Sequence, residues 1–370
     1  MARGNTILYL RDATKNTLTY DGVIFALKKF TGGMGDEDET QPQNDITWKN
    51  YFLQPPQAAD KVVCTRKANG EAAHVAVRFI GEQFMLFVGS KNVHILISTY
   101  SDVGKYQDNR FQVARVVAES VLDMMSNMEE HSLALFLNFL HFTKVTTVFE
   151  LLQPKYQHIE NLTHLQTTEL KFITWTHSYS GSENNPKSYC IFSPDVCLDF
   201  AQKLGLNTVT YELITTQDVD ERMDRVRQEY GYEGEVIYFV DTNDNVFGLV
   251  KKKTAWYIVL RSIREKAAAA FAAWKKGENF QQLSWSKKVK SRLKDIQTWV
   301  GFSDQFCDAW VKLGSQFVSW IIKLAQGKLD KSAENINMKH ILDKSGIRAQ
   351  FPCLWKQFLK DQEMTDIIPW

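Results

Sequence analysis

The hydrophobic pattern of this chain changes period once, and that change restricts its architecture more than any other feature. Short apolar runs suited to strands recur up to about residue 262. They lie at Ile7 to Leu10, Val23 to Leu27, Lys61 to Thr65, His74 to Ile80, Phe84 to Val88, Thr146 to Leu152, Leu170 to Trp175, Glu235 to Val240, Val246 to Val250 and Trp256 to Leu260. The second-period signal is clearest where Val75, Val77 and Phe79 alternate with His74, Ala76 and Arg78. Helical periodicity intervenes from Phe111 to Met128 and from His131 to His141, and Ser193 followed by Pro194 marks a capped helix that ends at Gly205. From Ile263 only the helical period is left, with helices expected at about Ile263 to Lys276, Lys287 to Val300, Asp304 to Gln326 and a shorter terminal pair. Since 370 residues exceed what one core usually supports, the expectation is two domains. The first is an α+β unit over 1–262 and the second an all-helical unit over 263–370. Gly32 to Asp45, rich in Gly and acids, reads as an exposed connection.

Charge divides at the same place. Residues 1–262 carry 26 basic against 32 acidic side chains, and residues 263–370 carry 18 against 11, so a net charge of +1 conceals −6 and +7. The excess lies between Arg264 and Lys294, where nine basic residues face only Glu265 and Glu278. Such a block suits a polyanion, although a solvated helix face would read the same way. Trp274, Trp285 and Trp299 are interspersed there and could stack on bases or pack in a core. No apolar run approaches the ~20 residues of a membrane helix, and the opening segment lacks a signal peptide's apolar region. A cytoplasmic or nuclear protein is expected, a monomer with no membrane association. The five cysteines include no CxxC pair, which disfavours a zinc knuckle and favours reduced thiols.

The residues that carry chemistry begin with Lys67, Ala68, Asn69, Gly70 and Glu71, on a turn between two predicted strands. A lysine attacks phosphorus only when neutral, and neighbouring cations would favour that form. The small Asn and Gly would allow a tight backbone that a nucleotide can approach. This pattern arises easily by chance. Its weight comes from an ordered series downstream: Gly89-Ser90-Lys91 at a strand end, Phe149-Glu150-Leu151-Leu152 in a strand, Glu233-Gly234-Glu235-Val236 opening another and Lys251-Lys252-Lys253 closing the next. Strand alternation places Lys251 and Lys253 on one face and Lys252 on the other.

This ordered set resembles the signatures of the covalent nucleotidyltransferase superfamily of RNA ligases, DNA ligases and capping enzymes. Within it the sequence is most similar to phage-type RNA ligases and the ligase domain of fungal and plant tRNA ligases. Ala2-Arg3-Gly4 and Leu27-Lys28-Lys29-Phe30 look like that family's upstream arginine and lysine-phenylalanine elements. Phe149 to Leu162 resembles its ribose-supporting segment, and Val250 to Tyr257 its closing motif. The resemblance covers residues 2 to about 264. It implies a nucleotidyltransferase domain of ATP-grasp-like antiparallel sheets with helices, followed here by the helical C-terminal domain. Because the arginine element falls at residue 3, either the domain begins late or the adenine pocket is built differently.

Carried over by position, the resemblance implies that Lys67 attacks the α-phosphate of ATP and becomes lysyl-AMP. Glu150 would grip the ribose, and Glu233 would act through the water shell of Mg2+ or Mn2+. Lys251 and Lys253 would neutralise charge at the α-phosphate, and Arg3, Lys29 and Lys91 would make further phosphate contacts. AMP then passes to an RNA 5′-phosphate and is displaced by a 3′-hydroxyl. Arg261-Ser262-Ile263-Arg264-Glu265 looks like a fungal tRNA ligase segment whose arginines engage a terminal 2′-phosphate, which suits bidentate recognition. The sequence has neither a kinase P-loop nor paired HxT motifs, so it is expected to seal ends prepared by others, as in RNA repair or tRNA splicing. Two alternatives stay open: a capping guanylyltransferase, which the helical tail disfavours, and a non-catalytic RNA-binding protein with a ligase fold.

Overall fold

The computed structural model describes residues 4–12, 14–28, 51–177, 187–278, 281–327 and 344–368. Among these residues the fold is mixed α/β, with every strand pairing antiparallel. β1 (Thr6–Asp12) and β2 (Thr17–Ile24) form a two-stranded ribbon. The remaining strands are β3 (Lys61–Arg66), β4 (Glu71–Ile80), β5 (Gln83–Ser90), β6 (His94–Ile97), β7 (Thr146–Leu152), β8 (Glu169–Thr176), β9 (Tyr211–Ile214), β10 (Gly234–Val240) and β11 (Val246–Lys253). They build a four-stranded sheet in the order β11-β10-β3-β9 and a five-stranded sheet in the order β6-β5-β4-β7-β8. The turn that carries Lys67 joins β3 of one sheet to β4 of the other. It is therefore where two independently framed walls meet.

Alternation decides what covers each wall. In the five-stranded sheet Val75, Val77, Leu86 and Val88 face a core closed by α2 (Gln112–Ser126), α3 (Glu130–Thr143) and α4 (Pro194–Lys203), with α1 (Tyr100–Val103) ahead of them. On the opposite face Ala76 and Phe87 pack under Val23 and Ile24 of the ribbon. The ribbon is pinned by Arg78, 5% exposed, whose guanidinium donates to Asp21 at 2.6 Å. In the four-stranded sheet Val62, Cys64 and Ile237 pack under Val219 of α5 (Val219–Gln228), while Val63, Val236 and Tyr238 face the opposite way.

From Ala255 onward the described residues contain helices and no strand: α6 (Ala255–Lys275), α7 (Gln282–Val300), α8 (Asp304–Ala325), α9 (Lys344–Ala349) and α10 (Phe351–Asp361). They share a core of Val259, Ile263, Phe271, Leu293, Trp310, Phe317 and Phe358. α6 and α8 cross closely because Gly314 leaves room, a Cβ there lying 2.9 Å from Ile263 Cγ1. No helix among the described residues is long and apolar enough to cross a membrane.

Several expectations are corrected. Trp256 to Leu260, read as a strand, forms the first turns of α6, which runs without a break across residue 262. The Thr254 hydroxyl accepts the Tyr257 N–H at 3.0 Å and starts the helix, and four of the five residues from Trp256 to Leu260 are buried, which hides the helical period. Ser193 does not cap α4 through its side chain, because its hydroxyl donates to Asp195 instead. β6, β9 and α5 have no separate counterpart in the sequence pattern, and the second ribbon strand is Thr17–Ile24 rather than Val23 to Leu27. Gly32 to Asp45 lies outside the described residues.

Candidate active site

Lys67 is fixed at its backbone before its side chain is considered. Its N–H continues the β3–β10 pairing by donating to Gly234 O at 2.8 Å. Three residues later Gly70 passes so close to β7 that a Cβ would lie 2.2 Å from Leu151 O. Only glycine fits there, and its N–H donates to Glu150 Oε1 at 3.0 Å. Glycine is demanded again at Gly234, where φ is +140° and a Cβ would lie 2.0 Å from Lys252 O. That close approach brings Glu233 beside the end of β11.

The side chains then converge. Lys67 Nζ lies 3.1 Å from Glu233 Oε1, and Lys253 Nζ lies 3.6 Å from the same oxygen. Glu233 Oε2 accepts from Asn69 Nδ2 at 2.6 Å. Lys253 also sits over the Tyr257 ring, 5.2 Å from its centroid. Residues 67, 150, 233 and 253, far apart in sequence, thus form one cluster of alternating charge, with Glu233 and Lys253 buried and Lys67 and Glu150 partly so.

Burial opposes every charge here, so each protonation state depends on its neighbours. For Lys67 burial favours the neutral amine, but the carboxylates of Glu233 and Glu150 outweigh it and hold the pKa above the ordinary lysine value. The expectation that cations would depress it is therefore not met in the protein alone. Burial would raise Glu233, yet Lys67 and Lys253 outweigh it and keep its pKa low. Glu150 shows the reverse balance: burial raises it and Lys67 only partly offsets this. Burial lowers Lys253, which Glu233 resists while Lys251, Lys67 and Arg261 add repulsion.

The other expected residues are distributed as follows. Lys251 pairs in register with Val236, on the face of Lys253, while Lys252 pairs with Glu235 on the other. Lys91 stands exposed in the β5–β6 turn, near His74. Arg3 and Lys29 lie outside the described residues. Lys28 donates to Tyr189 Oη at 3.4 Å and lies over its ring. Arg264 donates to His158 O at 3.2 Å and to Glu265 Oε1 at 3.2 Å, so much of its fork is committed within the protein. Arg261 is close enough to disfavour charge on Lys253 and Arg264.

The chain is similar to solved structures of an RNA ligase. Three come from Naegleria gruberi: a mutant with ATP and Mn (12% identity, TM-score 0.36, 65% of this chain and 63% of that chain), an apo mutant (13%, 0.36, 68% and 75%) and the ligase with PPi (14%, 0.35, 66% and 65%). The chain thus spans less than two thirds of the length of the first. No protein-family model matches the chain, and no curated protein matches it.

Sequence reasoning missed two contributors. Asn69 is more than a small turn residue: it is 4% exposed, and its Oδ1 accepts from Ile159 N at 2.9 Å and Glu160 N at 3.1 Å while its amide serves Glu233. Glu160 accepts the Glu233 backbone N–H at 2.8 Å and faces Arg66 at 3.5 Å. Its only signal was its place within the 149–162 segment. In the helical region Trp274, Trp285 and Trp299 are half-buried against the core. Lys288 lies 3.9 Å over the Trp285 ring and Arg292 4.8 Å over that of Trp299, leaving Lys287, Lys288 and Lys290 exposed on α7.

Proposed function

We propose that this protein is an ATP-dependent RNA ligase that seals 5′-phosphate and 3′-hydroxyl RNA ends through lysyl-AMP on Lys67. One observation carries the reading. Lysines and acids from separate sequence signatures meet around a single amine, with Glu233 at 3.1 Å and Lys253 sharing that carboxylate.

The chemistry follows from the charges. The ammonium proton of Lys67 must leave before nitrogen can attack, and the Glu233 carboxylate, its hold on the ammonium weakened by a cation bound beside it, lets that proton leave to water. The nitrogen lone pair then forms the N–P bond at the α-phosphate as the bond to the β-phosphate oxygen breaks and pyrophosphate departs. Lys251 and Lys253 offset the negative charge that gathers there. Glu150, already oriented by the Gly70 N–H, would take the ribose hydroxyls with its second oxygen, and Lys91, Lys29 and Arg3 would hold outer phosphates. No group of three potential metal-ligating side chains occurs among the described residues, which fits an ion held by phosphates and water with Glu233 acting through that water. When bound, Mg2+ or Mn2+ supplies charge neutralisation at the phosphates. AMP moves from Lys67 to an RNA 5′-phosphate, and the attacking 3′-hydroxyl releases it.

In this reading residues 1–262 form the adenylyltransferase domain and residues 263–370 a basic helical domain that binds RNA, tRNA being a suitable structured substrate. Arg261 and Arg264 would recognise a terminal 2′-phosphate on the acceptor. The test is to incubate the protein and Mg2+ with α-labelled ATP or GTP, then denature it. Label from ATP that is lost in Lys67→Ala is expected. Label only from GTP would replace the reading with capping, and no label from either would leave a non-catalytic RNA-binding protein. Comparing acceptors with 2′-phosphate and 2′-hydroxyl ends tests Arg261 and Arg264.

A further inference from the structure

The segment 157–160 belongs physically to two bodies at once. Its first half is held by the helical region: Gln157 N donates to Ala349 O at 3.2 Å, Gln157 Nε2 donates to Cys353 Sγ at 3.5 Å and Arg264 donates to His158 O. Ile159, 3% exposed, is buried within the core formed by the C-terminal helices. The helical side is itself tied together where Glu265 of α6 receives Arg348 of α9 at 2.6 Å.

Its second half is held by the candidate site. The N–H groups of Ile159 and Glu160 donate to Asn69 Oδ1, and the Glu160 carboxylate receives the N–H of Glu233. α6 adds a parallel tie, since Thr254 N donates to Glu233 O at 3.1 Å and Asn69 Nδ2 reaches Tyr257 Oη at 3.3 Å. The links from α9 to the Lys67–Glu233 pair are thus hydrogen bonds, an ion pair and a buried apolar contact.

We infer that Glu160 is a positioning residue for Glu233 and Lys67, and that the C-terminal helices, acting through residues 157–160, set the geometry in which adenylyl transfer occurs. The inference rests on the ligase reading and adds to it. The helical region becomes a working part of the first chemical step as well as a surface for RNA. The physical reason is that Glu233 sits on a glycine-dependent turn, just ahead of β10, where its N–H is held by the Glu160 side chain and its carbonyl by Thr254 rather than by the sheet ladder. Its aim therefore depends on the Glu160 and Thr254 contacts. A displacement of about 1 Å at a reacting group can cost up to ~100-fold in rate.

The full chain is assayed for lysyl-AMP formation in single turnover over a range of ATP concentrations. Glu160→Ala is expected to lower the maximal rate by about tenfold or more while moving half-saturation by ATP little, since it misaligns the reacting groups. Glu160→Gln, which keeps an acceptor for the Glu233 N–H, is expected to recover most of the rate. Arg348→Met, which loosens the helical side and removes none of the proposed nucleotide contacts, is expected to slow the step by about threefold with the same pattern. If Glu160→Ala shows no cooperative melt, Glu160→Gln and Arg348→Met decide. Wild-type rates in every folded variant, or a loss confined to ATP affinity, would overturn the inference. No label on the wild-type protein would instead refute the ligase reading.

Discussion

Asn69 offers the sharpest test of how the cluster is held. Asn69→Ala removes an amide that donates to an ionised carboxylate at 2.6 Å and an acceptor that serves two backbone N–H groups. The charged hydrogen bond is worth ~1.5–3 kcal/mol, and each stranded buried donor costs ~1–3 kcal/mol. Glu160 N is only partly buried, so its penalty falls at the low end, and a loss of about 3.5–7 kcal/mol is expected. Asn69→Asp separates the terms. It keeps the acceptor for both N–H groups but sets a carboxylate against Glu233, so in the folded state the pair holds a shared proton more tightly than the unfolded chain does. Folded-state proton binding then exceeds unfolded-state binding above about pH 4, and stability relative to wild type falls as pH rises through that window. Urea unfolding followed by tryptophan fluorescence at about pH 5 and about pH 8 measures both effects. A cost below about 1 kcal/mol for Asn69→Ala, or an Asn69→Asp deficit that does not grow with pH, would refute this account.

Two further outcomes follow from the charges. Because Lys67 is held above the ordinary lysine value and reacts only as the neutral amine, lysyl-AMP formation should still be rising with pH at about pH 9. Glu233→Gln should shift that rise to lower pH, and a wild-type profile flat from about pH 6 to 9 would contradict the assignment. Replacing Lys287, Lys288 and Lys290 by Glu should weaken RNA binding and flatten the slope of log affinity against log salt by ~0.7 for each phosphate no longer neutralised, and an unchanged slope would remove α7 from the RNA surface.

The site was legible as a set of residues but not as an arrangement. Lys67, Glu150, Glu233, Lys251 and Lys253 stand out through an ordered series that resembles a known family's signatures, and strand alternation adds that Lys251 and Lys253 share a face. Lys91 satisfies the same logic and lies on an exposed turn, free of the burial that surrounds Glu233 and Lys253. The bracing roles of Asn69 and Glu160 escape notice because a buried amide or a partly buried acid looks like any surface polar residue until its partners are known.

By itself the sequence determined most of the strands and the helical region after them, which are encoded locally by period, and it singled out the candidate nucleophile through an ordered series of residues that resembles a known family. Tertiary structure decided that Trp256 to Leu260 is helix, where burial of all but Ile258 erases the period that would reveal it. It also decided the charge state of Lys67, which depends on carboxylates brought from 83 and 166 residues away, and on how those charges outweigh burial.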